Sequence, residues 1–369
     1  MLLLLLALAV RAAPAAELVI DVRHTGDIGL VLTVAGEVDG RPVRWLVDTG
    51  STHHLVSRSV PSVPAQPSEE LRVAHAGGVL RGQRVALDTA SIQGLPLGRL
   101  DALQVDLQPA LGALAQEIDG VLGAPWFAGR RVTFDLQRRR LELDSAAAPG
   151  GVPLALVQGL PLIALQVGDR QEPYLVDTGA AGAVIRLRQG GSGIDVWRLP
   201  LLILDGQPRR EVPIADLAGA PLARALATRA AGSIGMALLD GCRFTLDLID
   251  RKLLVHACAE QKLRGGFGLQ WVMRGSALVL ARVWPGSPAA QAGLRPGDRV
   301  VSINGAAAPG ALPAADALLY AAETIELVVE RGDARSDARS DTRSDERAAG
   351  PGAERFVTKL ARSYFLPAR

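Results

Sequence analysis

Charge of one sign is missing from this sequence: 40 Lys and Arg stand against 38 Asp and Glu, a net charge of +2. So even a balance exerts no strong pull toward nucleic acid. Beyond the N-terminus there is no run of 18 or more apolar residues, so no membrane-spanning helix is expected and the mature chain should be soluble. Aromatic residues are only 4%, replaced by Ala, Leu, Arg and Gly, a bias that looks like GC-rich coding rather than function. No Cys or carboxylate cluster completes a metal site, nothing resembles a phosphate loop, and no Ser-His-Asp arrangement is visible; neither metal nor cofactor is expected. The adjacent His53 and His54 would point to opposite faces of a strand, which argues for structural or solvent-facing roles.

The N-terminus does hold an apolar stretch. Residues 2–6 are all leucine and Ala7, Leu8, Ala9 and Val10 follow. That length suits a signal peptide over residues 1–16 better than a membrane span, and Ala13-Pro14-Ala15 offers a small-x-small cleavage site. The lack of Lys or Arg before the run and the presence of Arg11 count against it. The expectation is an exported bacterial protein, periplasmic or extracellular, touching a membrane only through this segment if it stays uncleaved. Two cysteines, Cys242 and Cys258, fit that setting. They flank a predicted hairpin turning near Asp250, where residues whose numbers sum to 500 oppose one another. Both sulfurs would then lie across one ladder, within reach of a disulfide.

Two tripeptides carry the reading: Asp48-Thr49-Gly50 after Trp45-Leu46-Val47, and Asp177-Thr178-Gly179 after Tyr174-Leu175-Val176. They belong to an internal repeat. Gly120, Gly123, Arg131, Thr133 and Asp135 match Gly232, Gly235, Arg243, Thr245 and Asp247 at a constant offset of 112, whereas the tripeptides are 129 apart. The second half is therefore shorter by 17 residues (129 − 112), and because Gly94 and Gly206 already keep the 112 offset, the extra piece precedes Gly94. It contains Ala76-Gly77-Gly78 between two strand-like runs, which predicts a hairpin acting as a flap over a cleft. Strand-rich, alternating or continuously apolar runs separated by Gly, Pro and Asp continue throughout.

Two Asp-Thr-Gly triplets, each followed downstream by an apolar-apolar-Gly segment (Val121-Leu122-Gly123; Ser233-Ile234-Gly235, with Ser233 where an aliphatic is usual), resemble the retropepsin-like and pepsin-like aspartic peptidases. The resemblance covers about residues 18–258. It implies a mostly β, two-lobed aspartic-peptidase fold of β-barrel type with one main flap, lobe one at 17–146 and lobe two at 150–260. It makes Asp48 and Asp177 the catalytic pair, and since one chain holds both halves, no dimer is needed. Two carboxylates about 3 Å apart share one proton, so the ionised one activates water and the protonated one donates to the scissile carbonyl. Thr49 and Thr178 would hydrogen-bond across the pair; Gly50 and Gly179 would let backbone N–H groups approach the carboxylates. Ser51, opposed by Ala180, could donate its hydroxyl to Asp48, which predicts Asp48 as the more easily ionised member.

After Cys258 the pattern changes. Gly266-Phe267-Gly268-Leu269 and the run from Gly286-Ser287-Pro288 through Pro296-Gly297-Asp298 to Ile303-Asn304-Gly305 resemble a PDZ domain at 262–332. The resemblance makes Gly266, Phe267, Gly268 and Leu269 the loop that receives the C-terminal carboxylate of a peptide, and residues 314–320 the helix lining its groove. Gly-Phe-Gly-Leu departs from the commoner Gly-Leu-Gly-Phe. Residues 333–369 read as an Arg-Ser-Asp low-complexity tail whose last stretch, 356–366, is open to two readings, a short docking helix or a segment that folds back toward the PDZ groove. The whole points to an aspartic endopeptidase acting on peptides or proteins, with a PDZ domain that recruits C-terminal peptides. The alternative is a catalytically silent peptide-binding scaffold.

Overall fold

The computed structural model describes residues 16–368, apart from 27–28, 65–69, 76–77, 112–113, 116, 189, 192, 220–228, 261–264 and 332–353. The signal-like segment up to residue 15, the flap-tip residues Ala76 and Gly77, and the Arg-Ser-Asp repeat lie outside the described residues.

The chain is mostly β, and two lobes repeat one topology. Lobe one orders its strands Asp21–Thr25, Gly29–Val38, Arg41–Val47, Gly120–Leu122, His54–Ser57, Leu95–Val105, Gly78–Ile92. Lobe two orders Val152–Val157, Leu160–Val167, Arg170–Val176, Gly232–Ile234, Val184–Arg188, Gln207–Ala218, Gly193–Leu204 in the same sequence. In each, the short strand before the motif glycine lies parallel to the strand leading into Asp-Thr-Gly and antiparallel to the strand leaving it. The apolar residues before each Asp make these strands buried on both faces: Trp45, Val47, Tyr174 and Val176 are inaccessible to solvent on one face, and Leu46 and Leu175 are buried on the other.

The repeat mates meet where the lobes join. Strands Arg131–Asp135 and Cys242–Asp247 pair antiparallel with Thr133 opposite Thr245 and Phe134 opposite Phe244. The two phenyl rings stack at 4.7 Å and the two threonine hydroxyls hydrogen-bond at 2.6 Å. Arg131 reaches Asp247 at 2.8 Å, and its mate Arg243 reaches Asp135 at 3.7 Å. The duplicated Arg-x-Thr-x-Asp is thus a cross-lobe clasp in which each half sends a cation to the other's buried carboxylate, Asp135 being reached also by Arg138 of its own lobe at 3.3 Å.

The 17-residue surplus of lobe one is found where the offsets put it. Strand Glu70–His75 pairs with the start of Gly78–Ile92, from Glu70 opposite Gln83 to His75 opposite Gly78. Lobe two passes directly from Val184–Arg188 into Gly193–Leu204. The following two-residue turns are equivalent: Gln93-Gly94 and Asp205-Gly206 all have positive φ, the conformation that a tight right-twisted hairpin requires.

Cys242 and Cys258 are bonded and directly opposite. The predicted register needs correction nearer the turn. There Asp247 pairs with Lys252 and Phe244 with Val255, and a bulge beyond Phe244 moves the ladder by one to bring Cys242 to Cys258. The Asp247 carboxylate accepts from the N–H groups of Ile249 and Asp250 and so draws the turn closer to itself.

The third sheet orders Leu269–Arg274, Ala277–Val283, Arg299–Ile303, Thr324–Arg331, Glu354–Ala361. Helix Leu312–Ala321 packs beside it, and the short helix Pro288–Gln291 is capped by Ser287, whose hydroxyl accepts from Ala290 N–H. The expected helix over 356–366 is not formed. Glu354–Ala361 is a strand along Thr324–Arg331, because Phe356, Thr358 and Leu360 face inward at a spacing of two while Val357 and Lys359 face out.

Candidate active site

Both Asp-Thr-Gly turns leave buried strands and meet at the floor of the cleft between the lobes. Asp48 N–H donates to Leu122 C=O at 3.1 Å and Asp177 N–H to Ile234 C=O at 2.9 Å, fixing each aspartate to the strand before the motif glycine of its own lobe. Those glycines are needed for close approach. A Cβ at Gly123 would collide with the carbonyls of Ser51 and His53, and one at Gly235 with those of Ala180 and Gly182. Gly50 and Gly179 are constrained across the lobes: a Cβ on either would run into the aspartate of the opposite lobe, Asp177 or Asp48.

The threonines cross-connect the turns. Thr49 N–H donates to Thr178 Oγ1 at 3.0 Å, and Thr178 N–H to Thr49 Oγ1 at 3.1 Å. Each hydroxyl then donates onward to the other lobe, Thr49 to Val176 C=O at 2.6 Å and Thr178 to Val47 C=O at 2.8 Å. Both side chains are buried, and every polar atom of the lattice has its partner.

The two carboxyls lie within hydrogen-bond reach of each other. Close packing around them is the largest influence on each and raises both above the usual carboxylate range. The neighbouring negative charge of Asp48 lifts Asp177 further, well above 3.8. Backbone amides work in the other direction on both: Gly50 N–H donates to Asp48 at 2.7 Å, and Gly179 and Ala180 N–H donate to Asp177 at 3.0 and 3.1 Å. Of the two, Asp177 is lifted further. The Ser51 hydroxyl is not the reason. It donates to His53 C=O at 2.8 Å, and Ser51 acts on Asp48 through its backbone N–H.

His54 has a structural task, one of the two roles expected of it. Its Nδ1 accepts from Gly123 N–H at 3.1 Å, joining the motif glycine to the strand that leaves Asp48. Burial lowers its pKa to about 4, so the ring is neutral. Its mate in lobe two is Ala183, whose carbonyl takes the Gly235 N–H instead. His53 lines the cavity, with Nδ1 against the Thr52 hydroxyl at 2.8 Å. Among the described residues no group of His, Cys, Asp or Glu could hold a metal ion.

A cavity of about 1170 Å³ opens above the two aspartates. The hairpin strand of lobe one contributes Arg72, Val73, Ala74 and His75, and Gly78 pairs with His75 at its outer end, while Ala76 and Gly77 are outside the described residues. On the far side the cavity reaches the third sheet. Phe267 and Leu269 are buried and anchor the loop between them, in which Gly268 has φ +72°. Gly266 is bound by Ser363 through two hydrogen bonds of 3.0 Å. Four contacts that the sequence did not reveal hold this part of the chain to the lobes. The His24 and Tyr320 rings stack at 3.5 Å, Tyr320 donates to Asp240 at 3.0 Å, and the backbone N–H and Nε of Arg198 donate to Pro367 and Leu366 C=O at 2.9 and 3.0 Å.

Residues 34–126 match the family model for an aspartyl protease, and residues 279–331 the model for a PDZ domain. No curated protein matches the chain. Among solved structures it is similar to conglutin gamma, a basic 7S globulin from lupine seeds, at 12% identity and a TM-score of 0.41 over 65% of this chain and 94% of that one. A basic 7S globulin from soybean is matched at 12% identity and a TM-score of 0.40, over 67% and 99% of the two chains. The chain therefore carries an aspartyl protease domain followed by a PDZ domain.

Proposed function

We propose that this protein is an aspartic endopeptidase in which Asp48 and Asp177 activate water against a peptide bond. The observation that carries the reading is the joint one at the cleft floor: two carboxyls from repeat-related turns, within hydrogen-bond reach of each other and locked by reciprocal threonine bonds. Asp48, the ionised member, takes a proton from water as it attacks the scissile carbonyl. Asp177 gives its proton to the carbonyl oxygen, and the resulting diol collapses with proton transfer to the leaving amine. One chain supplies both carboxyls, so a monomer suffices. The PDZ domain receives the C-terminal ends of peptides, substrates among them. The Cys242–Cys258 bond supports work in an oxidising compartment such as the periplasm or the cell exterior. The test is cleavage of a mixed peptide pool by the wild type but not by Asp48→Asn or Asp177→Asn, with all three equally folded by circular dichroism.

A further inference from the structure

The carboxylate loop of the PDZ domain is held by the chain's own tail. Gly266 N–H donates to Ser363 C=O and Ser363 N–H to Gly266 C=O, both at 3.0 Å, an antiparallel bridge between loop and tail. Phe267 and Gly268 are not free either. A Cβ at Gly268 would stand 2.9 Å from the Phe365 ring, and one at Gly265 would meet the backbone of Ser363. Arg362 secures the start of this stretch. It donates to Gly265, Leu319, Tyr320 and Ala322 C=O and lies over the Phe267 ring. The Ser363 carbonyl thus occupies an amide expected to receive a peptide carboxylate.

The far end of the tail reaches lobe two at an edge that the repeat marks as needing cover. Arg198 N–H donates to Pro367 C=O at 2.9 Å and its Nε to Leu366 C=O at 3.0 Å, and Ala368 bridges Arg198 in parallel. The repeat mate of Arg198 is Ala86 (198 − 112). Their inner partners agree, since Arg198 pairs with Pro213 and Ala86 with Asp101 (213 − 112). In lobe one the outer side of Ala86 is taken by Val63, in the short strand Val63–Pro64. That strand lies in the stretch by which lobe one is longer, and between Val184–Arg188 and Gly193–Leu204 lobe two has no strand among the described residues. An uncovered edge offers its N–H and C=O groups to any extended chain. The tail fills the place of Val63–Pro64, running parallel where that strand runs antiparallel.

One short segment therefore closes a binding loop in the PDZ domain and a strand edge in the peptidase domain. At the loop it is a replaceable occupant: Ser363 offers a neutral carbonyl, whereas a carboxylate accepts charge-assisted hydrogen bonds roughly twice as strong. We propose that residues 363–368 are a releasable strap: a peptide entering the loop with a free C-terminal carboxylate displaces Ser363, and the strap then leaves Arg198 too. Binding at the PDZ domain is thereby felt in lobe two, where Val196 and Arg198 line the cavity above the aspartates. The apparent affinity of the loop is lowered by the fraction of molecules in which the strap is closed. This goes beyond the peptidase reading and holds whether or not a bond is cut.

Two measurements test the strap. The probe is an equimolar pool of fluorescent peptides with free carboxylates and Val, Leu, Ile or Phe as the last residue, the amidated pool serving as control. Ser363→Pro with Phe365→Ala removes one donor and the ring at the loop and leaves Arg362 and strand Glu354–Ala361 in place. This variant is expected to bind the free-carboxylate pool at least about tenfold more tightly than the wild type, and an amidated synthetic peptide of residues 362–368 added in trans is expected to reduce that gain. Equal binding by variant and wild type, or binding by neither, overturns the proposal. The second measurement needs no substitution and so decides even if the variant fails to fold. Hydrogen exchange at Arg198 N–H is expected to be slow in the wild type alone and to speed up when the free-carboxylate pool saturates it, with no change from the amidated pool. An Arg198 N–H that exchanges at one rate with and without the pool overturns it.

Discussion

Thr49 and Thr178 bond to each other's backbone N–H across the two lobes, and through their hydroxyls each also binds the residue just before the other's aspartate. The relative position of Asp48 and Asp177 is therefore set by four buried hydrogen bonds and not by the lobes' apolar contacts alone. Valine fills nearly the same space but offers no oxygen. Thr49→Val or Thr178→Val should lower stability by about 1–3 kcal/mol, since each leaves an N–H and a carbonyl of the opposite lobe unpaired. In urea titrations the double variant should cost about as much as the two single variants together, because each hydroxyl makes its own two of the four bonds.

The aspartate pair predicts how stability depends on pH. Asp177 has a folded-state pKa above its unfolded value, so it favours the folded state fully below about 3.8 and loses that contribution as pH rises through its raised pKa. Asp177→Asn removes the ionisation and should flatten this decline. Urea unfolding from pH 3 to 8 checks the sign: the variant should gain on the wild type as pH rises.

His54 acts in the opposite sense. Its pKa falls from 6.5 to about 4 on folding. Its contribution is thus fully present above pH 6.5 and is lost as pH falls through about 4, where protonation takes away the acceptor for Gly123 N–H. The gap corresponds to about 3 kcal/mol at most. His54→Gln does not titrate, so the difference in unfolding free energy between variant and wild type should change by up to that amount between pH 7 and pH 4, in favour of the variant at the acid end.

The Cys242–Cys258 bond closes a segment with a sequence separation of 16. A loop of this size adds about 3 kcal/mol through the unfolded chain. Cys242→Ala with Cys258→Ala should lower the urea midpoint accordingly, and dithiothreitol should reproduce the effect in the wild type while leaving the double variant unchanged.

Much of this arrangement is legible in the sequence because the gene half is written twice. The offsets of 112 and 129 locate the lobes, the aspartate strands and the surplus hairpin without any structure, since repeat mates must make equivalent turns. Arg131 and Arg243 were visible as repeated letters, but nothing in one half shows that each pairs with the other half's aspartate. Three features escaped for physical reasons. Phe356, Leu360 and neighbouring apolar residues fit a helix as well as a strand when only a few positions are counted, and the free edge of Thr324–Arg331 decides for the strand. The bulge beyond Phe244 shifts a register that simple counting from the turn cannot anticipate. The stacking of His24 on Tyr320 joins residues nearly 300 positions apart, with no local pattern at either end.

The most direct test of the account is the cleavage of a diverse peptide pool, from pH 3 to 8, by the wild type, Asp48→Asn and Asp177→Asn. The account predicts products from the wild type only, with activity falling on the acid side as the shared pair takes up its second proton and on the alkaline side as Asp177 loses its own. Equal cleavage by an Asn variant, or a wild type that binds C-terminal peptides and cuts none at any pH, would contradict it and leave a peptide-binding scaffold in its place.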